Sequence, residues 1–83
     1  MAGFTYEVKQ HIATIYTAPT FTTELNLVSF NGNAPKYDLR RWCVRDGQKV
    51  MQKGITLTAE ELISLKETLN KLGDITEDGI IDD

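Results

Sequence analysis

The chain predicts an α+β fold, four extended segments forming an antiparallel sheet followed by one helix, and three observations carry that expectation. Apolar residues alternate with polar ones within separate segments between about Phe4 and Thr58, the period of a half-buried strand. The pairs Asn31-Gly32 and Asp46-Gly47, both tolerant of positive φ, interrupt the alternation. Thr58-Ala59-Glu60-Glu61 then reads as a capping box, and Leu62, Leu65, Leu69 and Leu72 follow it as an apolar helical stripe.

The first strand runs from about Phe4 to Tyr16. Tyr6, Val8, Ile12 and Tyr16 hold one phase and Ala13 and Ile15 the other, which predicts a bulge or burial on both faces. The stretch from Thr17 to Thr22, with Pro19 in it, ends it. The second strand, Thr22 to Phe30, sets Leu25 and Leu27 against Glu24, Asn26, Val28 and Phe30. The third spans Lys36 to about Val44, with Lys36, Asp38, Arg40 and Trp42 on one face and Tyr37, Leu39, Arg41 and Cys43 on the other. The fourth is a brief β-branched run from Gly54 to Thr58. Gly73 is placed to end the helix. One helix covers one sheet face, so the other face meets solvent, a ligand or a second subunit.

Residues 1–73 are expected to form one domain, with 74–83 an acidic, solvated tail that limits non-specific contacts or mimics nucleic acid electrostatically. A domain of 83 residues buries only about 60% of the surface of its unfolded chain, so self-association would add stability. The formal charge of −3 conceals a segregation: the tail holds Asp74, Glu77, Asp78, Asp82 and Asp83 without a cation. Residues 36–54 instead carry Lys36, Arg40, Arg41, Arg45, Lys49 and Lys53 against only Asp38 and Asp46. A lone cysteine, Cys43, excludes a disulfide framework and reads as a small buried residue. The N-terminus lacks the pattern of a signal peptide, no apolar run approaches a membrane span, and a cytoplasmic location is expected.

Enzyme chemistry finds little footing. The single histidine, His11, lies within a strand, and there is no phosphate loop or serine elbow. Asp74, Thr76, Asp78, Gly79 and Asp82 are spaced like the start of a calcium loop, but no glutamate stands at the twelfth position to complete it. No cofactor or metal is therefore expected. The basic and aromatic residues of the third strand carry the sharper hypothesis. Lys36, Arg40 and Trp42 share a face, cations beside a ring, which is what a single nucleic acid strand requires: charge for its phosphates and a plane for its bases. A core role for Trp42 and Tyr37, with solvated arginines, is the competing assignment.

The ordered motifs Glu24-Leu25-Asn26-Leu27-Val28-Ser29-Phe30-Asn31-Gly32, Pro35 to Trp42 and Lys53 to Leu62 resemble the bacterial YdbC-type branch of the transcriptional positive cofactor four family. The resemblance spans roughly Tyr6 to Leu72. It implies a curved four-stranded sheet with a C-terminal helix, the Whirly-like arrangement, paired into a homodimer that binds single-stranded DNA or melted duplex largely without sequence preference. It also implies nucleic-acid contacts at Arg40, at Trp42 and at Lys53, beside a Gly54 that permits close approach, with Phe21 and Phe30 where relatives carry aromatics. Face and charge add Asn26, Lys36, Tyr37 and Arg45. Leu62, Leu65, Leu69 and Leu72 would bury the helix against sheet and partner. Thr23 departs from the family, replacing an expected lysine. Arg41 is left without an assigned partner. RNA as the ligand, or an adaptor whose basic face meets an acidic protein, are the alternatives.

Overall fold

The structure is a computed structural model and describes residues 3–81; Asp82 and Asp83 of the acidic tail lie outside the described residues. Strands β1 (Tyr6–Thr17), β2 (Phe21–Phe30), β3 (Lys36–Arg45) and β4 (Gln48–Leu57) form an antiparallel sheet in sequence order, followed by helix α1 (Ala59–Lys71). A two-stranded hairpin of β5 (Asp74–Thr76) and β6 (Gly79–Ile81) ends the described chain. The α+β expectation holds. Local chemistry sets the boundaries: Asn31, Gly32, Asp46 and Gly47 all adopt positive φ at the two hairpin turns. The Thr58 hydroxyl accepts from the Glu61 amide at 3.1 Å while Glu61 accepts from the Thr58 amide at 2.9 Å, completing the capping box. No helix among the described residues is long and apolar enough to cross a membrane.

Two elements differ from expectation. Strand β4 begins at Gln48, well before Gly54, because the polar segment Gln48 to Lys53 pairs with β3 across the Asp46-Gly47 turn. The acidic tail is not simply solvated chain: Ile75 opposes Ile80 and Asp74 opposes Ile81 in the terminal hairpin, which turns at Glu77-Asp78 into Gly79 at positive φ. The described residues of the hairpin are all exposed.

The mixed phase of β1 has its cause in bulges. Its pairing with β2 slips between Val8 and Gln10, between His11 and Ala13, and between Thr14 and Tyr16. Each extra residue bends the strand and increases its twist. The sheet consequently coils over one face. Tyr6 pairs with Phe30 at one end of β2, and Trp42 with Thr22 at the other, yet their rings meet at 5.7 Å. In a flat sheet, eight residues would separate those positions by about 27 Å along the strands.

The coiled face holds the described core, with Val28 and Trp42 as its buried apolar side chains and Glu24, Asn26 and Asp38 buried beside them. The opposite face is apolar but open. Ile15, Leu25, Leu39 and Leu57 of the sheet line a groove of about 440 Å³ with Leu62, Leu65 and Leu69 of α1. Leu69 is 51% exposed, and no described residue of the helix is buried. Leu62 and Leu72 are half-buried, so the leucine stripe meets its own sheet only partly.

Gly54 lies opposite Arg40 on β3, where an added Cβ would overlap the Arg40 Cβ and fall 2.6 Å from the Leu39 carbonyl oxygen. The close approach at Gly54 is thus between two strands. Gly54→Ala is expected to lower stability by about 3 kcal/mol through forced strand separation, read as a reduced urea midpoint.

Candidate nucleic-acid interface

Side chains of the coiled face form two buried polar clusters. In the first, the wholly buried Asp38 accepts from Arg40 Nε and Nη2 at 2.6 Å each, a bidentate ion pair between neighbours on one strand face. Arg40 Nη1 donates to the Gln52 carbonyl at 3.1 Å, and the guanidinium lies 5.7 Å from the Phe30 ring centroid. The Arg40 side chain is only 14% exposed.

In the second cluster, Glu24 Oε2 accepts from the Thr22 hydroxyl at 2.6 Å and from Lys49 Nζ at 2.5 Å. Asn26 Nδ2 donates weakly to Glu24 Oε1 at 3.5 Å, while Asn26 Oδ1 lies 2.7 Å from His11 Nδ1. Burial pushes the Glu24 carboxyl pKa up, but the hydrogen bonds from Lys49, Thr22 and Asn26 and the charge of Lys49 outweigh it and hold the pKa below its ordinary value. These residues border a cavity of about 370 Å³ with Tyr6, Val8, Thr14 and Trp42.

The structure alters the placement expected for Trp42. The residue is 3% exposed, its ring packed edge-on against Tyr6 and its indole N–H buried with no hydrogen-bond partner among the described residues. It is therefore a packed side chain of the coiled face, not an open stacking plane. Arg40 shares that face as expected, but its charge is already offset by Asp38. Asn26 is likewise buried. Tyr37 is half-buried on the other face, between Leu27 and Leu57 in the register.

The remaining candidates gather in two surface clefts. Phe21, Arg45 and Lys53 line a cleft of about 490 Å³ together with Thr20, Arg41 and Cys43. Arg41, Arg45 and Lys53 are all exposed, and among the described residues none has an acidic partner within salt-bridge distance. The Arg41 guanidinium sits 4.2 Å from the centroid of the Phe21 ring, the partner that its sequence position did not disclose. Lys36 and Phe30 border a second cleft of about 390 Å³ with Phe4, Asn33 and Arg40. Cys43 is half-exposed and its sulfur accepts from Gln52 Nε2 at 3.2 Å, so it is less buried than expected.

Sequence reading missed the Glu24–Lys49 pair, because Lys49 lay in what read as a loop. The available signal was parity: Glu24, Asn26 and Val28 share a face whose apolar member shows that it is buried.

The lowered pKa of Glu24 contributes stability that is present above the ordinary value of 4.5 and lost as pH falls through the folded-state value. Urea midpoints measured between about pH 7 and pH 3 should decline on the acid side, and Glu24→Gln should flatten that decline while leaving the His11 region folded.

The sequence also matches known proteins. The family described as Transcriptional Coactivator p15 (PC4) matches residues 20–68, from the start of β2 into α1. An uncharacterized protein of Treponema pallidum (strain Nichols) is 37% identical over 70 residues, covering 83% of this chain and 80% of that protein.

Proposed function

The chain belongs to the Transcriptional Coactivator p15 (PC4) family, the positive cofactor four family that its motifs resemble, and on that premise we propose that it binds single-stranded DNA as a homodimer, without marked sequence preference. The observation that carries this reading is the set of exposed cations beside aromatic rings at the rims of the coiled sheet. Arg45 and Lys53 flank Phe21 in one cleft, and Lys36 neighbours Phe30 in the other. Charge follows the phosphate backbone, and a ring accepts any base, so the combination favours a single strand over a closed duplex.

In this reading Arg40, Trp42, Asn26 and Gly54 build the coiled face that holds the rims apart, and Tyr37 supports the opposite face. The ligand touches the rims. No step of turnover is involved, and no cofactor is required. A bacterial branch of the family accords with the bacterial relative, and a cytoplasmic setting would suit the proposed ligand.

The dimer completes the open apolar face. The groove between α1 and the sheet leaves leucines exposed in a chain whose buried apolar core, among the described residues, is Val28 and Trp42. A second copy placing Leu65 and Leu69 against that groove would bury both surfaces at once.

Fluorescence anisotropy of labelled oligo-dT, oligo-U and the matching duplex across a salt series tests the ligand. The single strands should bind, oligo-dT at least as well as oligo-U and the duplex more weakly, with affinity falling steeply in salt. Absence of binding to all three at low salt contradicts the proposal and favours an adaptor that meets an acidic protein.

Light scattering tests the assembly. The mass should be twice the 9.4 kDa of one chain, and Leu69→Glu should shift it toward a single chain. A single-chain mass for the unaltered protein at micromolar concentration contradicts the dimer.

A further inference from the structure

Resting on the single-strand-binding reading above, we infer that Arg41, stacked on Phe21 and grouped with Arg45 and Lys53, is a further phosphate contact, and that Arg40 helps to position this cleft through the bulge in β4. Adjacent residues of one strand point to opposite faces, so the two arginines face different surroundings.

Arg40 is largely engaged within the sheet. Each of its guanidinium nitrogens donates once to a protein acceptor, two to the Asp38 carboxylate and one to the Gln52 carbonyl, which uses three of its five N–H bonds. A phosphate approaching it would compete with a buried carboxylate held at 2.6 Å. Arg41 is exposed, carries no acidic partner among the described residues, and is held by the Phe21 ring at 4.2 Å. Stacking orients the guanidinium plane while leaving its N–H edges for an anion, and it lowers the rotamer entropy lost on binding.

The bulge supplies the rest of the site. In the β3–β4 register Arg40 opposes Gly54 and Trp42 opposes Met51, so Gln52 and Lys53 together oppose Arg41. The extra residue brings Lys53 into the cleft that Arg41 and Arg45 line. Gln52 is fixed from both sides: its carbonyl accepts from Arg40, and its side-chain amide donates to Cys43 Sγ at 3.2 Å and to the Met51 carbonyl at 3.1 Å. Arg40 thereby sets the position of Lys53 from the far face of the sheet. The cleft would take the sugar-phosphate backbone of a single strand, with three cations converging on it.

Two measurements on the full chain test this inference. The first is the salt dependence of oligo-dT affinity. Each phosphate contact on a single strand contributes about 0.7 to the slope of log affinity against log salt, so Arg41→Gln should reduce the slope by about that amount per occupied cleft and weaken binding roughly tenfold near 0.1 M salt. Lys71→Gln, in the last turn of α1, should leave both unchanged, and circular dichroism should show all proteins folded.

The second uses Cys43, the single cysteine of the chain, which borders the same cleft. Saturating oligo-dT should slow its alkylation by iodoacetamide about fivefold or more if the strand occupies the cleft. A wild-type slope in Arg41→Gln, or unchanged Cys43 reactivity in the saturated complex, overturns the inference while leaving single-strand binding intact. Failure of the unaltered protein to bind oligo-dT at all would overturn the broader reading as well.

Discussion

The buried ion pair between Asp38 and Arg40 is the constraint on which the rest of this sheet is arranged. A carboxylate with no solvent exposure requires a counterion, since its desolvation costs several kcal/mol that only a close, well-hydrogen-bonded charge offsets. Supplying that charge from two residues along the same strand pins Arg40 across the width of β3. Its Nη1 then donates to the carbonyl of Gln52 in β4, and the guanidinium lies near the Phe30 ring at the end of β2. Gly54 is the residue that lets β4 pass close enough, because no side chain fits between it and Arg40. Strands β2, β3 and β4 therefore converge on one guanidinium.

The second polar cluster extends the same logic toward β1. Glu24, buried under His11, Asn26 and Lys49, is stabilised in its charged form by donors from its own strand and from β4, while β1 reaches it through His11 and Asn26. Together the clusters give the coiled face a core that is ordered by directional bonds, with Trp42 as its buried ring and the exposed Tyr6 packed edge-on against it. This inverts the usual division of a small α+β domain. The leucines of α1 and of the sheet face beneath it are the more exposed apolar set, which is the thermodynamic argument for a second copy. Cations that are not consumed by the core are left at the rims.

Much of this architecture was legible in the sequence because it is written locally. Asn31-Gly32, Asp46-Gly47 and the Thr58–Glu61 box each specify a turn or cap through side-chain and φ requirements that need no tertiary information. Alternation also grouped Lys36, Asp38, Arg40 and Trp42 on one face. It could not tell that this face is the one that coils inward, because the coiling arises from three bulges in β1 and appears in the sequence only as a conflict of phase. The polar start of β4 was hidden for a similar reason: Gln48 to Lys53 is held in the sheet by its hairpin partner rather than by its own propensity. In the terminal hairpin the density of acidic residues masked the opposed Ile75 and Ile80. The Arg41–Phe21 stack is a contact between strands, and no spacing within either strand announces it.

If Arg40 serves the fold and the rim cations the proposed ligand, a double-mutant cycle on Asp38 and Arg40 will show it. Urea denaturation of Asp38→Asn, Arg40→Gln and the double variant should show each single change costing about 3 kcal/mol and the double costing clearly less than their sum, the signature of a coupled buried pair. Near-additive losses of a few tenths of a kcal/mol, with single-strand binding abolished by Arg40→Gln in a fully stable protein, would contradict the account.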